Sequence, residues 1–234
     1  MQDEEDRQQS ALAALMGGAA HALEASANRR DTYTVATEQA VIVVPRAQSA
    51  SITIADLDGG VQTVAATADP LAAQGDEAQR LRGEGPCLDA ARQRRTLLTG
   101  DVKADPRWTA YGAAAAELGV TSQLAVQVFS TGRSRVGLNL YSRQPDAFDA
   151  SVHTAELFAS LAAIALGFAN SVADLDDALD SRSQIGQAIG IVRERYQLDE
   201  HEAFTFLVRL SQDSNTRMRV VAQEMIAPDA NSPK

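Results

Sequence analysis

The sequence has a single cysteine, Cys87, in 234 residues, so no disulfide can close within the chain. That excludes a disulfide-stapled secreted scaffold and agrees with a reducing compartment. Lysine is nearly missing, with Lys103 and Lys234 the only two, so positive charge is carried by arginine. The net charge of −10 excludes a nonspecific nucleic-acid coat. Aromatic residues make up only 5%, so the core must be built largely from Ala, Val, Leu and Ile. The histidines, His21, His153 and His201, each stand alone with no Cys or His at ligand spacing. Neither a metal nor another cofactor is expected. No nucleophile–base–orienter signature is visible, so no catalytic residues are assigned and no enzyme is expected. The opening MQDEEDRQQS lacks a basic stretch leading into an apolar one, so a secretory signal is not expected. The most apolar run, LFASLAAIALGFANSV, is short for a membrane span and is followed at once by Asp174, Asp176, Asp177 and Asp180. It reads as a buried helix of a cytoplasmic protein.

What is present suffices for two domains: 45% hydrophobic residues over a length generous for one. Residues 9–27 read as an Ala-rich helix with a break at Gly17-Gly18, and 35–44 as a second helix. SITIAD and residues 61–68 alternate around a Leu57-Asp58-Gly59-Gly60 turn, a hairpin signal. Residues 96–102 suit a short strand. Residues 105–119 read as a helix opening at Asp105-Pro106. QLAVQVFS and RVGLNLYS form a second hairpin around Thr131-Gly132-Arg133. Two tight hairpins predict an antiparallel sheet and contradict a parallel receiver domain. From about residue 150 one long helix is expected, because proline is missing between Pro145 and Pro228. Along it Leu157, Leu161, Ile164, Phe168, Val172, Leu175 and Leu179 step by three and four, nearly a heptad seam. A dimer coiled coil and a helix laid on its own domain both fit that pattern.

Two shorter helices follow. Asp199 suits an N-cap with Glu202 completing a capping box, and Ser214 or Asn215 suits the cap of the last helix, which Pro228 ends. Charge divides unevenly. Residues 1–180 hold 14 Lys/Arg against 24 Asp/Glu, whereas 181–226 hold six arginines against six acids. Arg182, Arg193, Arg195, Arg217 and Arg219 are candidates for phosphate contact, and a solvated face is the plain alternative. In GEGPCLDAAR the glycines and Pro86 suit a turn into a helix, where an anion or a pocket rim is the rival reading. Cys87 near that helix start is either a reactive thiol or a small buried hydrophobe. Trp108 and Tyr111 either pack or line a pocket. Ala188 and Gly190 beside the Ile185, Ile189, Val192, Tyr196 stripe mark a close approach. Helical geometry puts Ala188 toward packing and Gly190 outward.

SRSQIGQAIGIVRERYQLDEHEAFTFLVRLSQDSNTRMRVVAQEMI resembles the ANTAR domain, an RNA-binding module of transcription antiterminators. The resemblance rests on Gln187, Ala188 and Gly190, on Glu202, Ala203, Phe204 and Leu207, on Ser211 and Asn215, and on Val221 and Ala222. Ile189 replaces the lysine many members carry there, removing one candidate phosphate contact. GEGPCLDA and DVKADPRW resemble a GAF sensor domain. The resemblances imply an α+β architecture: a GAF-like antiparallel sheet of about six strands with flanking helices, a long connecting helix and a three-helix ANTAR unit. The expected division is a helical segment over 1–30, a GAF-like domain over 31–170 with its connecting helix from about 150, an ANTAR domain over 171–228, and a disordered tail over 229–234. They further imply a signal-responsive homodimer, joined through the long helix, that binds tandem stem-loops in nascent mRNA. The candidate RNA-binding residues are Arg182, Gln187, Gly190, Arg193, Arg195, Tyr196, Ser211, Asn215, Arg217 and Arg219. A small-molecule pocket would lie near Cys87 and Trp108. The alternatives are a sensor whose last helices bind a protein partner, and a helix-turn-helix that binds duplex DNA.

Overall fold

The computed structural model describes residues 2–56, 60–93, 95–130 and 134–227. The expected turns at 57–59 and 131–133, the stop at Pro228 and the tail 229–234 lie outside the described residues. The chain divides into two compact units, Met1–Asn170 and Ser171–Lys234.

In the first unit, α1 (Gln2–Glu24) and α2 (Arg29–Val43) precede the sheet. The Asn28 side chain caps α2 by accepting the Asp31 N–H at 3.1 Å. Gly17-Gly18 does not break α1, which runs straight through the pair. Nothing lies within 4 Å of where their Cβ atoms would sit, and the alanines around them sustain the helix.

Five antiparallel strands follow: β1 (Ser49–Asp56), β2 (Val61–Ala66), β3 (Leu97–Thr99), β4 (Ser122–Ser130) and β5 (Ser134–Ser142). Their order is β2-β1-β5-β4-β3, so β1 and β5 pair at the centre. Strand alternation gives the sheet two unlike faces. Ile52, Leu124, Val126, Val136, Leu138 and Leu140 pack with α1, α2 and the start of α6 (Val152–Tyr196) in one apolar core. The intervening positions include Ser51, Thr53, Gln123 and Asn139, all buried and all polar. That second face is covered by α3 (Leu71–Arg82), α4 (Pro86–Gln93) and α5 (Thr109–Glu117), and the apolar cluster between them includes Leu71, Trp108, Tyr111 and, from β5, Tyr141.

Two elements depart from expectation. α3 has no counterpart in the sequence reading. Its buried positions are Leu71, Ala72, Gly75, Asp76, Ala78 and Gln79, so glycine and two polar residues interrupt the apolar stripe that would reveal a helix. α5 begins at Thr109 rather than at Asp105-Pro106. The Asp105 carboxylate accepts from the Arg107 backbone and guanidinium instead, holding the stretch as a turn.

α6 is a single 45-residue helix. Its length and composition would allow a membrane crossing, but Ala155, Phe158, Ala159, Ala162 and Leu166 are buried in the first unit's core. In the second unit, the end of α6 packs with α7 (Glu200–Asp213) and α8 (Met218–Ile226) through Ala188, Val192, Ala203, Leu207, Val221 and Ala222. The Asp199–Glu202 capping box opens α7. Ser214 is not a cap of α8. It closes α7, and Arg217 takes the N-cap position of α8 without a side-chain bond. Asn215 stands between them at φ 49°, a left-handed conformation that asparagine tolerates better than most residues.

Candidate functional site

The polar face of the sheet holds a connected hydrogen-bond chain. Gly83 ends α3 at φ 69°, and Gly85 follows at φ 142°. A Cβ at Gly85 would overlap the Gln79 amide, so the turn must lie tight against α3. Gln79 then bridges two elements. Its Oε1 accepts the Cys87 N–H at 2.8 Å, and its Nε2 donates to the Tyr141 hydroxyl at 2.9 Å. The N-terminal N–H of Cys87 in α4 is therefore matched by an amide oxygen. The neighbouring Glu84 carboxylate accepts from Ala110 and Tyr111 at the start of α5. GEGPC is thus a packing turn, not a phosphate cradle.

Tyr141 passes the chain on by donating to Asp76 Oδ1 at 2.5 Å, while Thr63 donates to Asp76 Oδ2 at 2.8 Å. Asn139 Nδ2 reaches Ser51, Thr53 and, at 3.4 Å, Asp76. Burial pushes the Asp76 carboxyl up from 3.8 to about 6, with hydrogen bonds from Ser51, Tyr141 and Thr63 opposing the rise. A cavity of about 310 Å³ opens beside it, lined by Thr53, Val61, Thr63, Asp76, Gln79, Cys87 and others. An adjoining void of about 10 Å³ touches Gln127, Arg135 and Asn139. Gln127 Oε1, Arg135 Nε and Asn139 Oδ1 are buried there without partners.

Of the two expected pocket residues, Cys87 lines both spaces. Its thiol is not activated. Burial and then the Asp76 charge push it up to about 12, and its Sγ sits 3.2 Å from Thr53 Oγ1. Trp108 lines neither space. It is a core residue whose Nε1 donates to Asp89 at 2.8 Å, with the Arg107 guanidinium 4.2 Å from the ring centre. The sequence reading missed Asp76, Gln79, Thr63 and Asn139, because each looks like an ordinary polar residue of an unremarked helix or strand.

In the second unit, the candidate RNA residues divide. Arg182, Gln187, Gly190, Arg193, Arg195, Tyr196, Asn215, Arg217 and Arg219 are all exposed. Among the described residues no ion pair holds Arg182, Arg193, Arg217 or Arg219. Ser211 serves the fold, its hydroxyl donating to the Thr216 carbonyl at 2.5 Å across the α7–α8 turn. Tyr196 packs its ring 5.4 Å from Phe206 and leaves about half its surface exposed. Ala188 is fully buried, whereas a Cβ on Gly190 or Gly186 would meet nothing within 4 Å. Arg182, Gly186, Gly190 and Arg193 follow at spacings of four, four and three, so they share one side of α6. The result is a lane of bare helix backbone with an arginine at each end; Gly186 had not been singled out.

These two arrangements define a sensor sheet followed by a helical effector. The GAF domain family matches residues 26–167 and the ANTAR domain family residues 173–226. The chain belongs to the GAF domain family and carries an ANTAR domain after it. GAF is a signal-sensing domain, and ANTAR is the domain of RNA-binding antitermination regulators; both are regulatory.

Solved structures agree on the sensor fold. The GAF domain of a phosphoenolpyruvate-protein phosphotransferase from Coxiella burnetii is 17% identical, with TM-score 0.54 over 71% of this chain and 96% of that one. A LuxR family transcription factor, CepR2 from Burkholderia cenocepacia, is 13% identical, with TM-score 0.53 over 67% and 95%. Free methionine-R-sulfoxide reductase from Neisseria meningitidis is 14% identical, with TM-score 0.52 over 68% and 89%. At these identities the likeness is one of fold. No curated protein matches the sequence.

Proposed function

We propose that this protein is a cytoplasmic, signal-responsive antitermination regulator whose ANTAR unit binds paired hairpin loops in nascent messenger RNA. Holding those loops keeps a downstream terminator from forming. The reading rests above all on the exposed arginines of the second unit. Among the described residues Arg182, Arg193, Arg217 and Arg219 form no ion pair, although the chain as a whole carries ten excess negative charges. Cations left unpaired in an acidic protein are placed for phosphate. Arg195, Gln187 and Asn215 add polar contacts, and Tyr196 offers a ring face to an unstacked loop base. The glycine lane admits the RNA backbone. The domain division falls near residue 171, the cavity beside Asp76 and Cys87 receives the signal, and dimerisation runs through α6.

Fluorescence anisotropy with a two-hairpin RNA and with duplex DNA of equal length tests the reading. The RNA is expected to bind preferentially, with affinity falling as salt rises. Arg217→Ala should weaken binding and lower the salt slope by about one phosphate contact, with thermal unfolding unchanged. Equal binding of duplex DNA would favour the helix-turn-helix alternative. Binding of neither nucleic acid would leave the protein-partner alternative.

A further inference from the structure

Resting on the reading of the Asp76 cavity as the sensor's ligand site, we propose that its ligand is a small organic monocation. A primary ammonium or amidinium group would sit against Asp76, with a short apolar body behind it.

The argument begins with what Asp76 lacks. Its hydrogen-bond donors are neutral: the hydroxyls of Tyr141 and Thr63 and the amide of Asn139. No Lys, Arg or His pairs with it among the described residues. Buried carboxylates normally have a cationic partner or give up their charge. Other titratable groups facing it are Cys87 from α4, Tyr111 from α5 and Tyr141 from β5, and burial holds all three in their neutral forms. On α3, Arg80 also lines the cavity, but its charge is paired with Glu77 beside it, whose carboxylate accepts from Arg80 Nε and Nη2 at 2.6 Å. The charges at the cavity therefore sum to one excess negative, located on Asp76.

The remaining walls restrict the ligand further. Val61, Ala73 and Leu88 are apolar, Thr53, Thr63 and Gln79 are polar but already hydrogen-bonded, and Gln62 adds a neutral amide at the rim. At about 310 Å³ the space lies at the small end of ligand pockets. An anion would meet an uncompensated carboxylate there, and a neutral ligand would leave it unpaired. A monocation with a short apolar tail satisfies both the charge and the walls.

The test uses three probes of like shape and different charge: n-butylammonium, n-butanol and n-pentanoate. Each is titrated into the full-length protein while the backbone amide signals of Thr63, Asp76, Cys87 and Tyr141 are followed by NMR. Butylammonium should shift these signals saturably, with a dissociation constant about tenfold or more below those of the other two. That preference should disappear in Asp76→Asn. In wild type it should also collapse on going from about pH 7.5 to about pH 5, where the carboxyl takes up its proton, so the outcome does not depend on the variant folding. If butanol or pentanoate binds at these residues as tightly, the cavity is a ligand site but the cation assignment is overturned. If no probe shifts these residues, the ligand-site reading and the cation assignment fall together.

Discussion

At the scale of single residues, the two units use polarity and bareness in opposite ways. Asp76 is an ionisable group that the fold buries at a cost. Its folded value of about 6 stands above its ordinary 3.8, so proton uptake favours the folded state. The stabilisation is complete below about 3.8 and is lost as pH rises through about 6, a swing of roughly 3 kcal/mol. Asp69 and Asp105, both lowered by arginine partners, act in the reverse sense at acid pH. The Asp76 contribution is therefore best read as a difference between variants. Urea unfolding of wild type and Asp76→Asn, followed through Trp108, should show the variant the more stable above about pH 7 and its advantage shrinking toward about pH 4.5. Parallel pH profiles would contradict the burial argument. Gly190 is the converse case, a residue whose side chain is missing where nothing crowds it. Gly190→Ala should raise the second unit's stability by up to about 1 kcal/mol through helix propensity. The same substitution should weaken RNA binding, because a methyl group then stands where the backbone of the RNA must approach. An alanine variant with gained stability and unchanged RNA affinity would remove Gly190 from the interface.

At the scale of elements, legibility followed the regularity of the apolar period. The four long strands and α6 carry uninterrupted patterns, so hairpins and a long helix could be read directly. α3 could not be, since Gly75, Asp76 and Gln79 occupy the positions that leucines would fill in an ordinary amphipathic helix. Two of these residues, Asp76 and Gln79, line the cavity, so the proposed ligand site was hidden by the same polar residues that form its wall. The helix α6 shows the other side of this. Its buried face uses small residues, Ala155, Ala159 and Ala162 among them, which gives little contrast in the sequence. The conspicuous seam was a different face: Ile164 and Phe168 are 74% and 73% exposed, and Leu157, Val172, Leu175 and Leu179 are exposed with them. The start of α6 is laid on the first unit's core through the small-residue face, and of the seam Leu161 is half-buried against that core. Left uncovered, the rest of the seam is an unusual run of apolar surface for an isolated chain, and it suits a second copy in register. Ile164→Glu with Phe168→Glu replaces two largely exposed side chains. Light scattering should show the molecular mass falling from dimer to monomer while helical content stays unchanged. A double variant that keeps the wild-type mass would place the dimer contact elsewhere or deny it.

For the whole molecule, the division of charge sets how binding should respond to assembly. Residues 181–226 hold six arginines against six acids, and the negative excess lies before residue 181. On the proposed reading, a single ANTAR unit would approach RNA with few phosphate contacts from an acidic chain, which favours weak, salt-sensitive binding. Joining two such units through α6, as proposed, would change the problem. Once one hairpin is held, the second is presented at an effective concentration fixed by the spacer between the loops, and the combined affinity can exceed the single-site value by about a hundredfold or more. The proposed preference for paired hairpins follows from this, without any contact beyond those already described. Wild type should bind a two-hairpin RNA far more tightly than either hairpin alone, and lengthening the spacer well past the optimum should erode the difference. The Ile164→Glu, Phe168→Glu variant should bind one hairpin as wild type does and gain little from the second. A monomeric variant that retains the full tandem advantage would show that one chain engages both loops, and the link between the α6 seam and RNA choice would have to be given up.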